Sequence, residues 1–185
     1  METDEDLLAR STREPEAFEL LVLRHSAALH GYLSRRAPGV ADDLLAEVWL
    51  QAFAGRGTYD VARGAARTWL FGVARNVLAA HWRRREQDGR ALPGGEESSD
   101  PWLAVDQRLD AAAVAPLIRE TLGELPHVER ELLLLIAWEQ LTPTEAAAVV
   151  GIPAGTARSR LHRARTRLRT ALGTARPLPL TGDLA

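Results

Sequence analysis

Apolar positions along this chain recur every three to four residues and nowhere alternate over any length, so the pattern predicts helices and no sheet. Leu7 and Leu8 mark a short leading helix. Pro15 opens a longer one whose apolar stripe is Phe18, Leu21, Val22, Leu29 and Leu33. The A-P-G-V break at Ala37 to Val40 ends it, and Asp42 or Asp43 starts another helix through Phe53. G-R-G-T, from Gly55 to Thr58, begins an arginine-bearing loop, and a long helix follows from about Arg67 to Arg85. Gln87 to Pro101 is rich in glycine, proline, serine and acids, and reads as a linker. A second helical unit runs from near Asp110 to near Leu172, and the tail with Pro177 and Pro179 is expected to fray. The expected fold is all-α: a helical domain over residues 1–86, an acidic flexible linker over 87–109, a second helical domain over 110–173 and a disordered tail over 174–185.

One stretch of the second unit carries more than packing. T-P-T-E-A-A-A-V-V-G-I-P-A-G-T-A-R-S-R-L-H-R-A-R-T-R-L-R, from Thr142 to Arg169, reads as a capped helix, a glycine turn and a second helix. Thr142 and Glu145 have capping-box spacing, and Pro143 sits where a missing N–H does no harm. Gly151 supplies the turn, and Ile152-Pro153 starts the second helix. At about 100° per residue, Ala157, Leu161, Ala164, Leu168 and Leu172 share one stripe, with Arg158, Ser159, His162 and Arg163 opposite. This is a helix-turn-helix, a device that sets one helix in the major groove of DNA while another braces it. Arginine suits bidentate contacts to guanine, and serine and histidine offer single hydrogen bonds. A charged run is commonly just a solvated face, but such faces interleave both signs. Here no acid occurs between Glu145 and Asp183, which favours nucleic acid as the partner.

The net charge of −2 hides this until it is mapped. Residues 1–20 hold seven acids against two arginines, residues 56–85 hold seven arginines against Asp60 alone, and residues 86–110 return to seven acids against two arginines. There is no cysteine, so a disulfide framework or thiolate zinc site is excluded. The five histidines have no paired metal spacing; no metal, no cofactor and no catalytic residue is expected. The acidic start M-E-T-D-E-D argues against a secretory signal. The longest apolar run, Leu132 to Trp138, is too short to span a bilayer, so no membrane insertion and a cytoplasmic location are expected.

In the first unit, Asp43 and Glu47 stand at i, i+4 on one helix face. A solvated acidic edge and a docking surface for a basic partner helix fit that pattern equally. Tyr59 to Arg85 interleaves aromatics with arginines, a mix that can follow a phosphate backbone while stacking on unpaired bases. Trp69, Leu70, Val73, Val77 and Leu78 keep helical spacing and are assigned to the core, whereas Arg75 and Asn76 interrupt the apolar pattern together.

D-D-L-L-A-E-V-W from Asp42, R-T-W-L-F-G-V-A-R-N from Arg67 and L-T-P-T-E-A-A-A-V-V-G-I-P-A-G-T-A-R-S-R-L-H-R-A-R from Leu141 together resemble the extracytoplasmic-function (ECF) group of sigma-70 superfamily sigma factors. The resemblance runs from about Asp4 to Leu172. It implies that Asp43, Leu44, Glu47 and Trp49 dock on the clamp helices of the largest subunit of core RNA polymerase. It implies that Tyr59, Arg63, Arg67, Arg75 and Asn76 bind the −10 element of promoter DNA, where a base is flipped from the stack. It implies that Gly155, Thr156, Arg158, Ser159, His162 and Arg163 read the −35 element. The linker is expected to thread the channel that nascent RNA later occupies, and an anti-sigma factor is the family's usual regulator. Ala46 stands where the family often has glutamine, and Pro143-Thr144 and Ala147 or Ala148 replace larger residues. The first departure bears on polymerase docking, the others on phosphate contacts.

The functional expectation is a non-enzymatic specificity subunit with two weak tethered grips on DNA, each raising the effective concentration of the other. The alternative is a free-standing helix-turn-helix regulator that binds operators without polymerase. A hydrolase is disfavoured, since no P-loop, G-x-S-x-G or H-E-x-x-H occurs.

Overall fold

The computed structural model describes residues 2–91 and 115–174. Among them there are eight α-helices and no strand: α1 (Asp4–Ser11), α2 (Phe18–Ser34), α3 (Ala41–Gly55), α4 (Ala66–Ala91), α5 (Ala115–Glu124), α6 (His127–Ala137), α7 (Pro143–Val150) and α8 (Ala154–Thr174). Single 3₁₀ turns precede α2 and α3, and two more, Arg56–Thr58 and Val61–Arg63, form the loop before α4.

The first unit packs α2, α3 and α4 around Leu21, Leu29, Leu33, Val48, Leu70, Phe71 and Val77, all buried. Phe18 meets Trp49 and Phe53 edge-on at 5.8 and 5.3 Å, and Tyr32 meets Phe71 at 5.6 Å. The acidic N-terminus does structural work here. Thr3 and Asp6 close a capping box on α1, and Asp4 bonds Arg24 and His25 at 2.6 Å each. Glu5 accepts the Ala66 N–H at 3.0 Å and so caps α4 from a helix some sixty residues away. Leu7 and Leu8 bury that helix in the core.

One boundary differs from the sequence reading. The pattern ends the long helix at Arg85 and starts the linker at Gln87, but α4 continues to Ala91. No proline occurs between Arg85 and Pro93, and Glu86, Gln87 and Arg90 are good helix formers. The rest of the expected linker and the tail beyond Thr174 lie outside the described residues.

The two expected helical units are both present, and they lie against each other: α1 to α4 share one core with α6, α7 and the start of α8, while α5 packs in a smaller cluster with Ala164 and Leu168. α7 lies against α4, and the end of α2 meets the end of α6, with Arg35 and Glu139 2.6 Å apart across 104 residues of chain. Three residues past the end of α6 stands Gln140, a non-glycine residue at φ 54°, and the Leu141 N–H returns to the Leu135 carbonyl at 3.2 Å. That left-handed residue turns the chain into α7.

Candidate nucleic-acid interface

The helix-turn-helix forms as its local chemistry dictates. The Thr142 hydroxyl accepts the Glu145 N–H at 3.2 Å while Glu145 accepts the Thr142 N–H at 2.7 Å. Burial pushes the Glu145 carboxyl up, but these bonds and the neighbouring Arg67 charge outweigh it and hold it below the usual glutamate value. Gly151 closes α7 at φ 78°, donating to Ala147 and Ala148, and the Ile152 N–H also reaches the Ala147 carbonyl at 3.0 Å. Pro153 stands just outside α8, its carbonyl accepting the Ala157 N–H, so the second helix begins one residue later than the sequence reading had it.

Ala157, Leu161 and Ala164 are buried and Leu168 is half-buried, so these four members of the stripe predicted for the core pack, and the side chain of the fifth, Leu172, lies outside what the structure describes. Gly155, Arg158, Ser159, His162 and Arg163 are exposed, and Thr156 is half-exposed. Ser159 donates to the Thr156 carbonyl at 2.9 Å, which leaves its oxygen free to accept. Glu129, buried at the start of α6, lies 3.6 Å from Arg163 and 3.5 Å from Arg167. Sequence patterning gives no sign of this carboxylate beneath the arginine face, because it sits on another helix.

The −10 candidates line a groove between the α4 region and the turn of the helix-turn-helix. Tyr59, Arg63, Arg75 and Asn76 form one side and Ala148 to Pro153 the other. Tyr59 donates its hydroxyl to the Gly64 carbonyl at 2.8 Å and lies edge-on to Trp69 at 5.7 Å. Burial and the nearby Glu5 and Asp60 carboxylates push its phenol up, so it remains a donor. Arg63 and Asn76 are exposed and Arg75 is half-buried. Arg67 donates to the Glu139 carbonyl of the second unit at 2.6 Å.

The docking candidates on α3 fall on different faces. Asp43 is exposed, and Glu47 is half-exposed, accepting from Gln51 at 3.0 Å and Arg84 at 3.2 Å. Leu44 is buried in the core. Trp49 packs on Phe18 and donates to Ser26 at 3.2 Å. Leu50, 72% exposed, stands one and two turns beyond Ala46 and Asp43 on the outer face. An apolar residue out of phase with Leu44 and Val48 was the available signal for it. Among the described residues no cluster of His, Cys, Asp or Glu could hold a metal ion, and no helix is long and apolar enough to cross a membrane.

Comparison with known proteins places two family models on these units. "Sigma-70 region 2" matches residues 21–87 and "Sigma-70, region 4" matches residues 116–168. The chain is similar to the ECF RNA polymerase sigma factor SigC of Mycobacterium tuberculosis, 38% identical over 146 residues, covering 78% of this chain and 75% of that protein. It is similar to the ECF RNA polymerase sigma factor RpoE of Cereibacter sphaeroides, 30% identical over 172 residues, covering 86% and 88%. Among solved structures it resembles CnrH in complex with the cytosolic domain of CnrY, with a TM-score of 0.65 and 25% identity over 95% of this chain and all of that one. The sigma factor RpoE of Bartonella quintana, bound to the anti-sigma factor NepR, shares the fold at a TM-score of 0.60 and 22% identity, covering 86% and 98%.

Proposed function

Because this chain belongs to the ECF group of sigma-70 factors, we propose that it joins core RNA polymerase and selects promoters by gripping −35 duplex and −10 single strand together. α8 enters the major groove at −35. Arg158 and Arg163 are its main donors, Ser159 and His162 make single bonds, and Gly155 and Thr156 meet the backbone at the helix start. Arg63, Arg67, Arg75 and Asn76 hold the −10 strand with Tyr59 beside them. Asp43 and Glu47 meet the clamp helices of the largest subunit, and Leu44 and Trp49 act from behind by fixing the helix that presents them. The protein is a specificity subunit with no catalytic residue and no cofactor of its own, and it works in the cytoplasm under an anti-sigma factor.

The observation that carries this reading is the exposed arginine face of α8, a helix with no acid of its own, standing over the buried stripe Ala157, Leu161 and Ala164. A free-standing regulator would use the same face, so the test is dependence on polymerase. Gel shifts of promoter duplex with and without core enzyme, followed by transcription and start-site mapping, separate the two. Tight specific binding of the lone chain to a palindromic site, with no initiation on adding core enzyme, would sink the proposal.

A further inference from the structure

α8 carries no acid of its own, but one carboxylate reaches its arginines from the first turn of α6. Glu129 Oε1 lies 3.6 Å from Arg163 Nε, and Oε2 lies 3.5 Å from Arg167 Nη1. The glutamate side chain is 7% exposed, whereas the two arginine side chains are 60% and 55% exposed. One end of each pair is therefore fixed where α6 packs on α8, and the other stands in water. Oε2 makes no hydrogen bond, so the guanidinium charges are what this buried oxygen has. At about 100° per residue, Ser159, Arg163 and Arg167 step round α8 from its outer face toward the buried stripe. Arg158 stands on the other side of Ser159, and no carboxylate among the described residues pairs with it.

A buried charge left without its partner is strongly unfavourable. Glu129 therefore keeps both guanidinium groups close, whatever else they bind. Arg163 faces it with Nε, which leaves the two terminal nitrogens for a bidentate contact. Held at the flank by its Nε, that fork reaches the phosphates bordering a groove rather than the base edges on its floor. Arg167 stands one turn further along and closer to the core stripe, so phosphate is within its reach and base edges are not.

We propose that Glu129 is a positioning residue for DNA recognition: it pins Arg163 and Arg167 as phosphate clamps at the edge of the major groove, and so reserves base reading for Arg158, Ser159 and His162. The role in recognition rests on the −35 reading of α8; the pinning itself does not. Phosphate contacts set register and base contacts set sequence. A carboxylate on a neighbouring helix thus decides which arginines of one face do which task.

The test compares the full-length wild-type chain with Glu129→Gln, which removes the charge at nearly the same size, and Glu129→Asp, which keeps the charge but draws it back from the arginines. Each selects from promoter duplex randomised at the −35 element, alone and with core RNA polymerase. In both variants Arg163 is expected to swing over the groove and add a base preference of about tenfold at one pair where wild type discriminates little. The salt slope of binding should fall by about 1 as a phosphate contact is lost. Arg163→Ala in the Glu129→Gln background should erase the new preference. In the free chain, nuclear magnetic relaxation should find the Arg163 Nε–H ordered in wild type and mobile in Glu129→Gln. Affinity raised equally for every sequence, with the slope unchanged, would mean that only a repelling charge had gone, and overturns the proposal. An Arg163 Nε–H equally mobile in wild type and variant overturns it too. Circular dichroism reports whether Glu129→Gln folds, and Glu129→Asp carries the same test if it does not. Variants that shift duplex preference as described, in a chain that never directs initiation, leave the pinning standing and overturn the −35 reading instead.

Discussion

Gly151 sits at φ 78°, and a Cβ added there would meet nothing within 4 Å, so Gly151→Ala costs backbone strain alone. We expect a loss of about 1–2 kcal/mol, read as a lower denaturant midpoint with an unchanged slope. Gln140 is the mirror case, a left-handed residue where no glycine was selected. Glu145 ties stability to pH. Its folded carboxyl is held below the ordinary value, so its contribution is complete above about pH 4.3 and is lost as pH falls through the depressed value. Glu145→Gln should therefore cost stability at neutral pH, and the gap from wild type should close in acid; a gap constant from neutral to acid denies the capping role. The Thr142, Glu145 and Gly151 roles were readable because each acts within a few residues. Gln140 was not, since glutamine advertises no turn.

At the scale of elements, α8 and α3 each bury one face in the core and leave the other exposed. Arg158→Ala is expected to lower initiation from a −35-dependent promoter by at least about tenfold, the lower end of 1–3 kcal/mol per base contact, with no change in melting temperature. If Arg163 binds phosphate instead of a base, Arg163→Ala should weaken all promoters alike and reduce the salt slope by about 1. On α3, Leu50→Asp removes an exposed apolar side chain and should weaken core binding about tenfold while leaving the fold intact. Core affinity untouched by Leu50→Asp and by charge reversal at Asp43 and Glu47 would remove α3 from the docking surface. The two faces of α8 were legible from period alone. On α3 the family pattern grouped Leu44 with Asp43, and packing buries Leu44 while Asp43 faces outward.

For the whole molecule, the charge map read as an acidic start and two basic blocks separated by an acidic segment, and several of the described acids have definite partners. Asp4 and Glu5 bind Arg24, His25 and the start of α4, while Glu131 and Glu139 lie buried against α2. Deleting residues 2–11 should therefore destabilise the first unit, leaving α4 uncapped and the faces under Leu7 and Leu8 exposed. Unfolding measured with and without the segment checks this; unchanged stability would reduce α1 to a surface appendage.

Sequence alone determined the helices, their apolar stripes, the capped turn before α8 and the family, because those depend on residues a few positions apart. Only the tertiary structure decided which side chains share a space across the chain: the Glu5 cap on α4, the burial of Leu44, and Arg35 and Arg36 against Glu131 and Glu139. The physical reason is that a buried charge is settled by whichever partner the fold brings to it, and some of these partners stand about a hundred residues apart, where no periodicity reaches.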